Sequence, residues 1–260
     1  MIVVIAALVY DAVQLIGENT KKQPVAEAGS TVETEKPEEA SSTVSPSPVT
    51  NSLNQEADGN WYVNADPLLI IANKTYKLAD GYAPADLVEV PDPRCSSGCA
   101  MRAVTAEAWN EMKTAASKEG ITLTYSSSFR DEAYQASLYN SYVARDGSTE
   151  SADRYSSRPG YSDHQTGLAI DIMSASDPAA DLNAEAYENT EEGQWLLENA
   201  WKYGFVLRYP KGKEDITGYE YESWHYRYIG KEYAEAVHEA GENESMEEFF
   251  VFRGGVNYPD

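Results

Sequence analysis

The alternation of apolar and polar positions divides the chain into three stretches. Residues 1–20 open with Met1 to Tyr10 (MIVVIAALVY), nearly all apolar, and weaker apolar character continues to Ile16, the pattern of a membrane anchor or an uncleaved signal. Over residues 21–60 the pattern vanishes. Runs such as Gly29-Ser-Thr-Val-Glu-Thr-Glu-Lys-Pro-Glu-Glu and Ser45-Pro-Ser-Pro hold too little apolar surface to offset chain entropy, which predicts a disordered acidic linker. Periodicity returns at Trp61, and residues 61–255 are expected to form one folded domain.

Within that domain Leu68-Leu-Ile-Ile-Ala reads as a first strand or extended segment, and the proline-punctuated Gly81 to Pro91 as an irregular wrap. Thr105 caps a helix running to Lys118, with Trp109, Met112 and Ala116 on one face and Gly120 as its stop. Ile121 to Tyr125 alternates as a half-buried strand. Asp131 to Tyr142 reads as a second helix, with Tyr134 and Leu138 paired at i, i+4. Arg145 to Tyr161 is a long polar loop, of a kind that often carries function. Leu168 to Ile172 is a strand, and Asp177 to Asn183 a loop. Thr190 caps a helix through Tyr203 that Gly204 stops, and Phe205 to Tyr209 is a strand. After a loop over Pro210 to Tyr221 come a strand from Trp224 to Tyr228 and a helix from Gly230 to Ala240. Ser245-Met-Glu-Glu248 forms a capping box that opens a last short helix. This order predicts a single α+β domain, a small antiparallel sheet flanked by helices.

Charge and composition narrow the functions open to such a domain. A formal net charge of −23 argues against phosphate-backbone binding, so no nucleic-acid partner is expected. With 42% apolar residues the chain can still bury a normal core, and its acidity implies a soluble, self-repelling molecule, expected to be a monomer. Cys95 and Cys99 are the only cysteines. Their spacing predicts a short-loop disulfide in an oxidising, extracytoplasmic compartment, with two free thiols as the alternative. Such a small loop would pin a local turn more than it would stabilise the domain.

Candidate chemistry concentrates in two places. In Ser162-Asp-His-Gln-Thr-Gly-Leu-Ala-Ile-Asp171, alternation sets Asp171 on the strand face opposite Ile170 and Ile172. That carboxylate is either solvated or partnered, because an unpaired buried one is too costly. Gly167 permits a bend that brings His164 back beside it. Downstream, Glu222-Ser-Trp-His225 supplies another imidazole. Taken alone His225 suits a core or surface position, but the chain holds three histidines and His238 falls in an ordinary polar helix. In a regular strand Glu222 and His225 would point to opposite faces, so a shared site requires a bend just before the strand. Two imidazoles and one carboxylate form a catalytic zinc site whose fourth position stays open, with Glu222 spare to take a proton. Glu220 and Asp215 compete for that role. Arg130, between a strand and a helix, is either solvated or a cation aimed at a developing oxyanion or a substrate carboxylate.

Together these motifs resemble the zinc D-alanyl-D-alanine carboxypeptidases of the VanY type, within the wider LAS group of zinc peptidases. The string Arg158-Pro-Gly-Tyr-Ser-Asp-His-Gln-Thr-Gly, the Asp171 and Glu222-x-x-His225 positions, and Ser127-Ser-Phe-Arg130-Asp-Glu-Ala-Tyr-Gln135 carry the resemblance, which spans roughly Leu68 to Phe252. Asp163 stands where the family commonly has glutamate, a change expected to be tolerated. The resemblance implies that His164, Asp171 and His225 bind Zn2+, that Glu222 is general base and acid, and that Arg130 stabilises the tetrahedral intermediate. Ser162 and Gln135 become candidate substrate contacts. The implied activity is removal of the terminal D-alanine from peptidoglycan stem peptides by an anchored or secreted D,D-carboxypeptidase. An L,D-carboxypeptidase on tetrapeptide stems is the alternative within the same chemistry. From another class, the domain could be a non-catalytic wall-binding module with zinc, although a structural site would be expected to offer a fourth protein ligand.

Overall fold

The computed structural model describes residues 68–250 except 96, 97 and 182, the backbone of 53–55 and 61–63, and residues 254, 255 and 257–259. The expected anchor and most of the expected linker lie outside the described residues. The last part of the linker differs from expectation, because β1 (Leu53–Gln55) pairs antiparallel with β2 (Trp61–Val63), Leu53 opposite Val63. Among the described residues no helix is long and apolar enough to cross a membrane.

The domain continues through β3 (Leu87–Glu89), β4 (Ala100–Arg102), α1 (Ala103–Lys118), β5 (Leu123–Ser127), α2 (Glu132–Asp146), α3 (Thr149–Ala152) and β6 (Ala169–Ser174). Then follow α4 (Ala184–Glu188), α5 (Glu191–Asn199), β7 (Phe205–Leu207), α6 (Glu214–Thr217), β8 (His225–Tyr228), α7 (Lys231–Ala240) and α8 (Met246–Phe249). One four-stranded antiparallel sheet, in the order β5-β6-β8-β7, organises the whole. The expectation of a mixed α and β domain around a small antiparallel sheet holds.

The period-two alternation of strands gives that sheet two different faces. Ile170, Ile172, Leu123, Tyr125 and Tyr226 point into a core with Trp109, Met112 and Ala116 of α1 and with Trp195 of α5. Burying a side chain of this size stabilises by about 1.5–3 kcal/mol, so the sheet has a firmly packed floor. Asp171, His225 and Arg227 point to the other face. A second core, containing Leu69, Ile71, Tyr76, Val206, Ile229, Val237 and Met246, joins the N-terminal segment to α7 and α8.

Four expectations are corrected by long-range contacts. First, α1 begins at Ala103, before Thr105, and has no side-chain cap. The backbone N–H groups of Arg102 and Ala103 donate instead to Gly167 O and Asp86 O, both at 2.9 Å, so Thr105 is buried inside the first turn. Second, α2 starts at the Asp131 cap but runs on to Asp146, and it buries Gln135 and Tyr139 while Tyr134 is 43% exposed. It packs on a polar segment: the Tyr139 hydroxyl donates to Asp153 Oδ1 at 2.7 Å and Gln135 Nε2 to Ser157 O at 2.7 Å. Third, the supposed wrap before Pro91 contains β3, paired antiparallel with β4. Fourth, of the two readings of Leu68 to Ala72 the strand falls and the extended segment stands, the carbonyls of Leu68 and Ile70 accepting from Arg227 Nη2 at 2.9 and 2.6 Å.

Candidate metal centre

Pairing of β6 with β8 sets Asp171 directly opposite His225. His225 opens β8, and its N–H donates to Glu222 O at 3.1 Å, closing the bend that the sequence required if both side chains were to serve one site. His164 lies on a 3-10 turn, Asp163–Thr166, that ends at Gly167. There φ is +69°, and a Cβ would meet Arg102 Cγ at 3.0 Å and Leu87 Cδ2 at 3.1 Å, so both conformation and space call for glycine. The turn places His164 beside the start of β6.

Each imidazole is oriented by one nitrogen, which frees the other. His164 Nδ1 donates to Ser128 O at 2.6 Å, and its Nε2 faces Asp171 Oδ2 at 3.2 Å. His225 Nε2 lies 3.5 Å from Asp163 Oδ2, and its Nδ1 faces Asp171 Oδ1 at 3.3 Å and Glu222 Oε2 at 3.2 Å. The two rings meet edge to face, 4.7 Å between centroids. One ligand atom from each of His164, Asp171 and His225 lies within 4.8 Å of the others. His164 Nε2 and Asp171 Oδ1 are buried without a hydrogen-bond partner, an arrangement that a shared cation would satisfy. Two neutral nitrogens and one carboxylate oxygen are a zinc donor set, and three protein ligands leave a position for water or substrate.

The electrostatics favour ligation by His164 and Asp171, whereas His225 must give up a proton to bind a metal. Burial, reinforced by the Arg130 guanidinium, pushes the His164 pKa down and favours the neutral imidazole that a metal requires. Burial works against an ionised Asp171, but the two histidines outweigh it and hold its carboxyl well below the usual range. Burial would lower His225 as well, yet Asp163 and Glu222 lift it to about 9. Glu222 is pushed up, chiefly by burial, which suits a group that must take up a proton.

Beneath this site lies a charged chain that sequence reasoning missed. Asp163 is fully buried and paired with Arg227, while Arg208 Nε stands 3.9 Å from the same carboxylate oxygen. Arg208 forks onto Glu247 at 2.9 and 2.7 Å, and Glu247 Oε1 also accepts from Asn73 Nδ2 at 3.0 Å. Burial of Asp163 opposes its ionisation, but Arg227, His225 and Arg208 keep its carboxyl well below the usual range. The available signal was two arginines in strands otherwise apolar and aromatic, Phe205-Val-Leu-Arg208-Tyr and His225-Tyr-Arg227-Tyr. A buried guanidinium demands a buried anion.

A cavity of about 330 Å³ opens over the site, lined among others by Arg130, Tyr142, Ser162, His164, Asp171, Glu222 and His225. Arg130 Nε is buried there without a hydrogen-bond partner. Ser162 is on the wall as expected. Gln135 does not line the cavity; its amide braces Ser157, which does. Of the competing carboxylates, Glu220 sits at the rim paired with Arg154 at 2.5 Å, and Asp215 lies in α6, off the cavity. His238 stacks on Trp201, 4.3 Å between centroids, remote from the metal ligands in role and contact. Cys95 and Cys99 form the expected disulfide.

Comparison with known proteins agrees with this geometry. The VanY family of D-alanyl-D-alanine carboxypeptidases matches residues 98–231. YodJ of Bacillus subtilis (strain 168) is 41% identical over 192 residues, covering 72% of this chain and 68% of that protein. The LdcB LD-carboxypeptidase structure superposes with a TM-score of 0.68 at 38% identity, covering 79% of this chain and 95% of LdcB. A variant of the D,D-pentapeptidase VanY, solved with Zn(II), gives a TM-score of 0.58 at 27% identity, covering 71% of this chain and 99% of that one. The site geometry, the family match and the extent of these likenesses converge: the chain belongs to the VanY family of carboxypeptidases.

Proposed function

We propose that this chain is a zinc-dependent carboxypeptidase that releases the C-terminal D-alanine of peptidoglycan stem peptides. The observation that carries this reading is the open set of His164 Nε2, Asp171 and His225 Nδ1 on the wall of a cavity, with Glu222 beside it as a carboxylate the ligand set does not need. Zinc held there supplies a Lewis acid and lowers the pKa of a water molecule towards neutrality. Glu222 takes the proton of the attacking water and returns it to the amine of the departing residue. Arg130 presents its guanidinium to the oxygen that becomes negative as the peptide carbonyl turns tetrahedral. Ser162 borders the bound peptide, and Gln135 acts from behind the wall by holding Ser157.

A cell-wall substrate sets the enzyme outside the cytoplasmic membrane. The Cys95–Cys99 disulfide supports that placement, since such bonds persist in oxidising compartments. The apolar residues 1–20 would serve as the tether, with residues 21–60 as reach.

The bond cleaved separates two readings. The match to the D-alanyl-D-alanine carboxypeptidase family supports the D,D bond of a pentapeptide, and the greater likeness to LdcB, 38% identity against 27% for VanY, supports the L,D bond of a tetrapeptide. D-alanine release from the two peptides, measured with zinc content, decides between them. Release from neither peptide by the zinc-loaded protein would favour a non-catalytic wall-binding module. Glu222→Gln is expected to cut turnover by a factor on the order of 10²–10⁴, the range ascribed to general acid–base groups, while leaving zinc bound. Near-normal turnover in that variant would refute the role of Glu222.

A further inference from the structure

We propose that the Cys95–Cys99 disulfide loop is a clamp that positions Arg130 for the reaction, an inference that rests on the role given to Arg130 above. The described residues of the loop, Cys95, Gly98 and Cys99, lie outside the metal centre, and Gly98 supports the segment Ser128 to Arg130. Ser128 N donates to Gly98 O at 3.0 Å, and Phe129 N donates to Ala100 O at 2.8 Å. Gly98 adopts φ +64°, and a Cβ there would come within 2.4 Å of Phe129 O and 3.7 Å of Arg130 Cγ. The glycine is therefore the floor on which the Phe129 carbonyl and the base of the Arg130 side chain rest.

On its inner side the same segment holds the metal centre. Ser128 O accepts from His164 Nδ1 at 2.6 Å, and Arg130 N donates to His164 O at 3.3 Å. The Ser128 hydroxyl donates to Ala169 O at 2.7 Å, which ties Ser128 to β6 independently of the loop. Phe129 has no such second tie among the hydrogen bonds described, and the backbone of Arg130 is tied only to His164 O, so the loop acts on Arg130 through Phe129 and through the Gly98 surface beneath its side chain. The remaining end of the loop is fixed to the β3–β4 hairpin, with Val90 N donating to Cys99 O at 2.8 Å and Cys95 N to Asp92 O at 3.1 Å. The covalent link between Cys95 and Cys99 closes the turn that carries Gly98, next to Ala100, which β4 holds opposite Glu89. Closing so short a loop removes little entropy from the unfolded chain, which leaves local geometry as the main effect of the bond.

The consequence is selective. Without the clamp, His164 keeps its bond to the doubly held Ser128, so zinc stays, whereas Arg130 loses its alignment with the developing oxyanion. An error of about 1 Å in such a group costs up to about 10²-fold in rate. The test uses the full zinc-loaded chain and D-alanine release from pentapeptide and tetrapeptide stems. Cys95→Ser/Cys99→Ser and, separately, Gly98→Ala are each expected to lower kcat about tenfold or more, with KM and zinc content near the wild-type values. Gly98→Ala keeps the disulfide and carries the test if the serine pair folds poorly. Arg130→Ala is expected to lose about 10²–10³-fold in kcat, and adding the serine pair to it should cost less than about twofold more, because both changes remove one effect. Wild-type kcat in the serine pair and in Gly98→Ala, or losses that multiply fully in the Arg130→Ala background, would overturn the clamp and leave the role of Arg130 intact. Full activity of Arg130→Ala itself would overturn that role and the clamp with it.

Discussion

Asp163 controls which nitrogen His225 offers. Its Oδ2 faces Nε2 at 3.5 Å, so with the Nε2 proton held there the lone pair of Nδ1 is directed at Asp171 and the cavity. Partners of this kind fix the tautomer and ring angle of a ligating histidine, and losing one typically costs 10- to 100-fold in metal affinity. Asp163→Asn, which preserves shape and removes charge, is expected to weaken zinc binding by about that factor in chelator competition on the folded protein. Unchanged affinity would mean that the strand alone orients His225. Asp163 was legible in the sequence only as a substitution for the family's glutamate. Its buried environment depends on Arg208 and Arg227, distant in the chain and adjacent in space.

At the scale of elements, the ends of strands and helices were largely legible because their causes are local. Thr190 and Ser245 cap helices as expected, accepting from the backbone N–H of Gly193 and Glu248, and Asp131, read as the first residue of its helix, caps it by accepting from that of Tyr134. One carboxylate does comparable work between elements. Glu192 of α5 accepts from the amides of Ala175 and Ser176 at 3.0 and 2.8 Å and from the hydroxyls of Ser174 and Ser176 at 2.9 and 2.6 Å, fastening the end of β6. Burial opposes its ionisation, but these hydrogen bonds, the Ser176 hydroxyl foremost, leave the Glu192 pKa lowered. A carboxyl with a lower pKa folded than unfolded stabilises the protein above its unfolded value, and that contribution is lost as pH falls through the folded value. Glu192→Gln is therefore expected to cost about 2 kcal/mol near pH 7, with the difference from wild type shrinking as pH falls through about 4 and below. Denaturant unfolding across that range checks it, and a difference independent of pH would refute the assignment.

For the whole molecule, the metal centre joins parts that are far apart in sequence. Ligands from the 3-10 turn, β6 and β8 meet at one point, and the chain of charges below them ends on Glu247 and its partner Asn73, hydrogen-bonded to each other although 174 positions apart in sequence. A cation bound there favours the folded state by mass action, about 2.7 kcal/mol at a free concentration 100 times its Kd. Chelation should therefore lower Tm and abolish D-alanine release, and zinc should restore both. Loss of activity with Tm unmoved would place the functional metal outside this site.

What the sequence determined by itself was whatever a few neighbouring residues decide. The alternation of Ile170, Asp171 and Ile172, the bend allowed by Gly167, the capped helix starts and the zinc donor set are all written in short stretches whose side chains interact with their own backbone or obey a fixed period. The bend between Glu222 and His225 was required by the motif and is present. Tertiary structure decided the rest. It made a strand of β3, kept Leu68 to Ala72 out of a sheet, moved the buried face of α2 from Tyr134 to Gln135 and Tyr139, and withdrew Gln135 from the cavity. It also set two arginines and two carboxylates beneath His164, Asp171 and His225. The physical reason is common to all of them: a buried polar group must be satisfied, and the chain distance to its partner carries no pattern that a local reading can detect.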